Sequence, residues 1–465
     1  MNLPEPLARA IAALTEIGRP LLVGGCVRDW LLGLTPKDFD VEVFGVDWEK
    51  LVAVLRQHGP VNLVGKSFGV AKVRLGGVDY DFSLPRREVK VASGHRGFAV
   101  EPDPAIDPAT AALRRDFTIN AIYFDPASGE VLDPLDGRRD LRAGILRHTG
   151  PAFAEDPLRV LRAFQFAARF DFEVAPETIE LCRTMLPTFA ELPVERVWGE
   201  WEKWSTTAQK PSRGLQVLKQ TGWLTCFPEL AALDGLPQEP AWHPEGDVLT
   251  HTGHCLDALV QLEAWRQANA PGRRILSFAV LCHDLGKAET TTRAERHGVM
   301  RWVSPGHDRA GGPLAERFLE RIGSPHDLRK PVRQLVECHH VHQSWPLEGP
   351  SAAAVRRLAR KLSPASIDQL TVVMEADHRG RPPLLSEETA LRIERLRAKA
   401  AELSLQTAPP PPLLRGRDLI RLGLKPSPEF SRILRAAYEA QLDGAFHTHE
   451  EAVAWVQSRF DLDTR

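Results

Sequence analysis

Apolar and polar positions change rhythm along this chain. Up to about residue 145, short β-type runs alternate with Gly and Pro turns: Pro20–Gly24, Phe39–Phe44, Ala71–Leu75, Val78–Leu84 and Thr118–Phe124. That pattern predicts an α/β or α+β domain. From about 146 the strand signal stops. Apolar residues then recur at three- and four-residue spacings, as in Leu158, Leu161, Phe164 and Ala168, which is the rhythm of amphipathic helices. A turn-rich segment, Leu233–Gly246, interrupts the helices, and Ala408–Pro412 (APPPP) reads as a stiff linker before a short helical tail. The expectation is a multidomain α+β protein with a mixed head (1–145), an all-α neck and body (146–235), a second all-α domain (236–405) and a linker with a small helical tail (406–465).

A chain of 465 residues exceeds one ordinary core, which agrees with several domains. Its 43% hydrophobic and 26% charged content is that of a globular protein, and no uninterrupted apolar run reaches the length of a membrane span. The opening MNLPEPLARA lacks a basic segment followed by an apolar one, so a cleaved secretory signal is not expected. Six isolated cysteines form no CxxC pair, which fits the reducing cytoplasm. A net charge of −2 excludes a uniformly basic coat but not local basic surfaces. Arginine outnumbers lysine 46 to 13, which suits phosphate contacts, although a GC-rich genome gives the same bias.

The first concentration of chemistry is Leu21–Asp40, LLVGGCVRDWLLGLTPKDFD. An apolar strand enters Gly24-Gly25, and a helix with Arg28 and Asp29 follows. Two glycines let backbone approach a phosphate at a helix N-terminus. Asp38 and Asp40 then open an apolar strand and share one of its faces. Adjacent carboxylates repel unless cations lie between them, and hard oxygens suit Mg²⁺. A DxD alone reads as a solvated strand face; a Gly-Gly turn and a helical Arg ahead of it make the pattern far more specific.

This pattern resembles the polymerase-beta-like nucleotidyltransferases and, more closely, the bacterial and eukaryotic class of tRNA nucleotidyltransferases, the CCA-adding enzymes, with the related bacterial poly(A) polymerases. Further blocks follow in family order: Arg114–Ala121 (RRDFTINA), Asp133–Gly137 with Asp140-Leu141, Glu155–Arg159 (EDPLR) and Glu195–Trp198 (ERVW). The resemblance implies a nucleotidyltransferase head in which Asp38 and Asp40 hold Mg²⁺. Asp81 is a candidate third carboxylate, and an ordinary exposed Asp is an equally good reading of it. Gly24, Gly25 and Arg28 would meet the triphosphate, and Arg115 the sugar or phosphates. Glu155 and Asn120 belong to the matching blocks.

Asp156-Pro157 looks like a helix N-cap and first turn. In the family the matching Asp and Arg form a protein template for the incoming base. Asp156 and Arg159 can face the same way. A carboxylate accepts from the amino group of C or A, whereas U and G present a carbonyl oxygen there. Arg162 continues that face as a nucleotide contact. Gln165 stands where close relatives carry Arg, which puts that contact in question. A basic stripe is expected along Arg159, Arg162 and Arg169. The polar run Arg86–Asp103 resembles the family's flexible loop, implicated in the switch from C to A addition; its full length argues for A-adding competence.

The second concentration is His251, the block Leu281–Lys287 (LCHDLGK), His307, His339-His340 and Asp377. A lone helical His is usually a core residue, but an adjacent His-Asp after the apolar run Ile275–Cys282 is more unusual, because a buried Asp needs a partner or a metal. Mixed His and Asp suits a transition metal. The order resembles HD-domain phosphohydrolases, with His251, His283, Asp284 and Asp377 as core ligands. His307 and His339 would be additional ligands or phosphate contacts; His340 and His342 compete with His339 for that role. The contexts WHPEGDVLTH and EADHRGR match bacterial CCA-adding enzymes that carry this domain, which implies phosphatase, 2′-nucleotidase and 2′,3′-cyclic phosphodiesterase activity. Arg417-Asp418-Leu419 reads as part of a packed helical cap.

The resemblance thus implies addition of CCA, or its terminal A, to tRNA 3′ ends from CTP and ATP with Mg²⁺. A transition divalent metal would occupy the HD site. An A-adding enzyme working with a separate CC-adding enzyme, and a poly(A) polymerase, stay open, as does a homodimer. No membrane partner is expected.

Overall fold

The computed structural model describes residues 1–63, 69–90, 98–383 and 385–460, and divides into two compact units, Met1–Cys226 and Phe227–Arg465. The first unit opens on strands β1 (Arg19–Val23), β2 (Asp40–Phe44), β3 (Val61–Asn62), β4 (Val70–Leu75) and β5 (Val78–Ser83), with β8 (Tyr123–Phe124) and β9 (Val131–Leu132) further on. They form one sheet in the order β3-β4-β5-β2-β1-β8-β9. β2 and β5 run parallel, with Asp40 opposite Asp81; the remaining pairs are antiparallel. Beyond their first residues β1 and β2 are buried throughout, as central strands covered on both faces must be. The helix Glu5–Thr15 contributes Leu7, Ala10, Ile11 and Leu14 to the core, and Trp48–His58 contributes Leu51, Val52 and Leu55.

Two expected strands are shorter than their apolar runs. β2 begins at Asp40, although the exposed–buried–exposed alternation extends back through Phe39 to Asp38. Thr118–Asn120 forms a 3₁₀ turn, and only Tyr123–Phe124 pairs in the sheet. The flanks of the expected flexible loop, β6 (Arg86–Lys90) and β7 (Phe98–Pro102), pair as an antiparallel hairpin, and 91–97 lie outside the described residues.

The rest of the first unit is mostly helical. Leu158–Phe170 buries the stripe of Leu158, Leu161, Phe164 and Ala168. The Phe164 ring meets Trp201 at 4.6 Å and Trp204 at 5.7 Å, both on the helix Val194–Thr207. Strands do not end at 146: Ile145–Leu146 pairs with Glu173–Val174.

The second unit is built on five helices, Val248–Leu259, Ala270–Cys282, His307–Arg321, His326–Cys338 and Ile367–Arg379. Asp247 and Asn269 cap the first two, and Ser366 with Gln369 forms a capping box on the last. A hairpin, Thr292–Arg296 with Val299–Val303, also departs from the all-helical expectation. It is largely exposed, so it has no apolar alternation to betray it. Its local signature is the His297-Gly298 turn, with both residues at positive φ. The tail packs Leu419, Ile433, Ala437 and Val456 into its own small core. The proline run is tied to it, since Pro410 and Pro411 carbonyls accept from Tyr438 (2.7 Å) and Gln441 (2.9 Å).

Gly286, two residues after Asp284, is a close-approach glycine. A Cβ there would lie 2.0 Å from the His307 carbonyl oxygen and 2.6 Å from the Gly311 nitrogen. Gly286→Ala is therefore expected to force the helix His307–Arg321 outward and to destabilise the second unit by about 1–3 kcal/mol, read as an earlier unfolding transition in urea.

Candidate functional site

In the first unit the β1–helix turn, the start of β2 and the RRD block converge. Gly24 caps the helix Gly25–Leu31 at φ 81°, and a Cβ on it would sit 3.4 Å from an Asp40 oxygen. Asp38, Asp40, Gly24 and Gly25 line a cleft of about 740 Å³ with Arg28, Arg115 and Arg162. A second cleft of about 400 Å³ shares Asp40, Arg115, Asp116 and Arg162, and adds Asp81, Asp156 and Arg159. The expected head residues are thus brought together around two adjoining spaces.

Charge explains the arrangement. Burial pushes the Asp40 carboxyl above its ordinary 3.8; Arg115 pulls it down, and Asp81, Asp38 and Glu42 push it further up. Asp81 has an oxygen buried without a hydrogen bond, with the Lys72 ammonium 3.6 Å away. Beneath them Glu42 is wholly buried. It accepts from Arg114 at 3.0 Å, Arg115 at 3.1 Å and the Tyr123 hydroxyl at 3.2 Å. Burial opposes its charge, but Arg115 and Arg114 more than reverse that and hold its carboxyl below the ordinary range.

Arg28 is only 3% exposed, so it is a cavity wall rather than a freely reaching cation. It donates to Asp29 (2.6 and 2.8 Å) and Asn120 (2.7 Å), and lies over the Phe170 ring at 4.7 Å. Asn120 donates to Asp116 at 3.0 Å, and Asp116 accepts from Arg162 at 2.7 Å. Arg169 pairs with Asp29 at 3.4 Å. The expected basic stripe is therefore partly neutralised: Arg162 and Arg169 both face acids of the head.

The helix expected from Asp156-Pro157 starts one residue later, at Leu158, and Asp156 accepts from the Leu158 N–H at 3.1 Å. Arg196, from the ERVW block, grips both Asp156 oxygens at 3.2 and 2.9 Å. Arg159 donates to the Arg114 carbonyl at 2.6 Å and the Ala152 carbonyl at 2.9 Å. Glu155 ends the preceding 3₁₀ turn, half-buried. Gln165 is a buried amide on the cleft wall, 3.4 Å from Thr207 Oγ1, and Arg169 and Lys203 supply cations on the same wall.

The second unit gathers its histidines as densely. His251 and His283 are wholly buried beside Asp284 and Asp377. His251 Nε2 lies 3.1 Å from Asp377, and His283 Nε2 lies 3.2 Å from Asp284. Asp284 also stands 3.4 Å from His307 Nε2, whose other neighbour is His339 Nε2 at 3.3 Å. The tautomers follow from the acceptors. Nδ1 of His283, His307 and His339 donates to the carbonyls of Val280, Ser304 and Val336, respectively, and Nδ1 of His251 donates to Glu245 at 2.8 Å. Every Nε2 is thereby presented inward as a potential ligand.

Burial holds His307 down at about 4 and His339 well below 6.5, so their facing Nε2 lone pairs are uncompensated at neutral pH. His283 Nε2 is buried without a hydrogen bond. Such a set fits a divalent cation. Cys255, one turn after His251, places its sulfur 3.3 Å from His251 Nε2. His340 approaches Asp377 at 3.6 Å, whereas His342 turns its Nδ1 to the His339 carbonyl at 3.2 Å. Arg381 grips Asp377 at 2.9 Å, and Lys287 reaches Asp284 at 2.7 Å.

Fold and sites together define a nucleotidyltransferase head joined in sequence to an HD domain. The model described as the poly A polymerase head domain matches 21–147, that of the probable RNA and SrmB-binding site of polymerase A matches 171–233, and that of the HD domain matches 252–380. The multifunctional CCA protein of Xanthomonas campestris pv. campestris (strain B100) is 40% identical over 426 residues, covering 90% of this chain and 96% of that protein. That of Xanthomonas oryzae pv. oryzae is 38% identical over 441 residues, covering 92% and 98%. Among solved structures, the Bacillus stearothermophilus CCA-adding enzyme with CTP superposes with a TM-score of 0.63 at 22% identity, over 99% of this chain and 98% of that one. The Thermotoga maritima CCA-adding enzyme complexed with tRNA gives 0.59 at 18%, over 99% and 96%. At such identities these structures show the fold. The chain belongs to the multifunctional CCA protein family of nucleotidyltransferases, which implies the use of divalent metal. No helix among the described residues is long and apolar enough to cross a membrane.

Glu42 and Cys255 were missed from sequence, and Asp116, Arg196, Glu245, Lys287 and Arg381 stood inside the motif blocks without a role of their own. For Glu42 a signal existed: it is a lone acid two residues after Asp40 in an apolar strand. Because its folded pKa is depressed, its ion pairs contribute stability above its ordinary 4.5 and lose it as pH falls through the folded value. Glu42→Gln is expected to lower stability at pH 7 by about 3–5 kcal/mol, as for a broken buried pair. It should also flatten the acid limb of a stability–pH profile measured by thermal melting.

Proposed function

We propose that this chain extends tRNA 3′ ends with CCA, or with its terminal A, from CTP and ATP without a nucleic-acid template, and that its HD site hydrolyses phosphate esters, in the cytoplasm. What carries the first reading is the meeting of Asp38, Asp40 and Asp81 with Asp156 and Arg159 around clefts that share Asp40, Arg115 and Arg162. Asp38 and Asp40 would hold Mg²⁺, with Asp81 as a third ligand; the raised Asp40 carboxyl and the unbonded Asp81 oxygen are what a hard cation relieves. Mg²⁺, when bound, supplies activation of the attacking hydroxyl and neutralisation of the triphosphate.

The chain's own groups would do the rest. Gly24 leaves room for phosphate against backbone, with Arg115 and Arg162 beside it. Asp156 would accept from the amino group of C or A while Arg159 donates to the neighbouring ring acceptor, leaving the carbonyl of U or G opposed to a carboxylate. Arg196 fixes the plane of that carboxylate and is a positioning residue. At the HD site His251, His283, Asp284 and Asp377, with His307 and His339 adjoining, would hold a divalent transition metal that polarises a phosphoester and its attacking water. Lys287 and Arg381 stand beside the two carboxylates, placed to meet phosphate oxygens.

The decisive assay supplies three tRNA transcripts, ending before CCA, after C and after CC, with CTP, ATP or both. Extension of all three to CCA supports the full activity. A single A on the CC-ended transcript alone makes this an A-adding enzyme with a separate CC-adding partner, and a long A ladder a poly(A) polymerase. Asp38→Ala should abolish extension while ester hydrolysis persists; His283→Ala should lower hydrolysis by about 10³-fold or more while extension persists. Loss of both activities in either variant would refute two independent centres. Arg196→Ala is expected to lower kcat/KM for nucleotide addition by about 10²-fold, the scale of a misplaced reacting group, and to relax rejection of UTP in single-turnover incorporation.

A further inference from the structure

Beside the HD histidines lies a cavity of about 450 Å³ whose two ends differ in chemistry. At one end stand His307, His340, Lys287 and Arg381, the metal and phosphate side. At the other stand two indoles, Trp242 and Trp302, with Arg296. Neither indole belongs to the core: Trp242 is 49% exposed, and Trp302 is half-buried on the largely exposed hairpin.

Both rings are nevertheless held. Arg301 lies over Trp242 at 5.4 Å, and Arg293, paired across the hairpin with Trp302, lies over that ring at 5.6 Å. Glu239 anchors the hairpin to the segment before Trp242, accepting from Arg301 at 3.0 Å and from the Trp302 N–H at 3.2 Å. Gln238 is fixed beside it, its amide oxygen accepting from Lys287 at 2.8 Å. Lys287 in turn is 2.7 Å from Asp284. One short chain of polar contacts thus connects the aromatic end to the HD carboxylate.

Exposed indoles pinned on a cavity that opens onto a phosphoester centre have the chemistry of a base-stacking platform, because every nucleobase offers a π-face while the cations meet the phosphate. We infer that Trp242 and Trp302 form a nucleobase-binding subsite of the HD centre, which selects nucleotides over phosphate esters without a base. This rests on the phosphohydrolase reading of that centre. Stacking selects for a base without choosing among bases; the exposed Gln343 amide at the rim is the group placed to read an edge.

The test compares adenosine 2′-phosphate with glycerol 2-phosphate, a base-free phosphomonoester, on the full chain loaded with Mn²⁺, Co²⁺ or Ni²⁺. Wild type should prefer the nucleotide. Trp302→Ala should lower the ratio of the two kcat/KM values by about tenfold or more, as expected for one lost base stack, mainly through KM. Trp302→Phe should restore most of it, and Trp242→Ala should act in the same direction. Equal slowing of both substrates in Trp302→Ala, or a wild type indifferent to the base, would overturn the subsite. If wild type turns over neither substrate, the phosphohydrolase reading fails. The subsite is then judged by calorimetric titration of adenosine 2′-phosphate into the full chain: weaker binding by Trp302→Ala supports it, and equal affinity overturns it.

Discussion

Glu42 has no exposed surface, and Asp40 on the same strand and Asp38 just before it precede it at two-residue intervals. A carboxylate so placed is tolerable only with cations in contact, and Arg114 and Arg115 are those cations. The pairing fixes more than one charge. It holds the RRD block against the sheet, stations Arg115 beside Asp40 and directs Tyr123 inward. From the same block Asp116 extends the network to Arg162, and Asn120 to Arg28. The face that carries Asp38 and Asp40 therefore inherits its geometry from a buried ion pair whose Arg115 also lines the cleft. Burial, with Asp81, Asp38 and Glu42 beside it, keeps the Asp40 carboxyl above its ordinary value despite Arg115, so a cation bound there would still lower the energy of the acidic cluster.

The HD site meets the same demand with the opposite groups. There the inward atoms are imidazole lone pairs, fixed because each Nδ1 is committed to a carbonyl or, for His251, to Glu245. Two neutral rings meeting Nε2 to Nε2 gain nothing from each other. Asp284 and Asp377 draw partial compensation from Lys287 and Arg381, which hold the carboxylates charged. Both centres thus set cation-ligating atoms side by side and hold them in place with outer partners, as expected of sites that take a cation.

How much of this was legible in the sequence depended on the kind of signal. Central strands buried on both faces left apolar runs, so β1 and β2 could be read to within a residue or so, and β5 could be read from the alternation of Tyr80 and Phe82 with polar residues. The helix from Leu158 announced itself by its stripe. Asp38, Asp40, Asp156, Arg159, His283 and Asp284 stood in dense local motifs and could be singled out there. The hairpin carrying Trp302 was not, because an exposed ribbon needs no apolar alternation. Arg196, Glu245 and Arg381 escaped for other reasons. Arg196 acts on Asp156, 40 residues away along the chain, and single-sequence patterns carry no pair information; Glu245 and Arg381 are near neighbours of His251 and Asp377 in sequence, but their residue type alone does not mark them as supports rather than surface charges. Thr118–Asn120 misled because burial there serves a tight turn under the site rather than a strand.

Those misses share a physical origin. Ligand-facing atoms must be of particular types at particular spacings, so chemistry writes them into motifs. Their supports need only bring an opposite charge or an acceptor to the right place, and any element of the fold can do so. A backbone carbonyl serves His283, His307 and His339; a glutamate serves His251; an arginine from another helix serves Asp156. The aromatic cavity beside the HD site follows the same division. Its indoles touch no reacting group, yet Glu239, Gln238 and Lys287 tie their positions to Asp284. Recognition of the base and placement of the phosphate are in that way carried by one continuous set of contacts, so that specificity and chemistry at this centre share their supports.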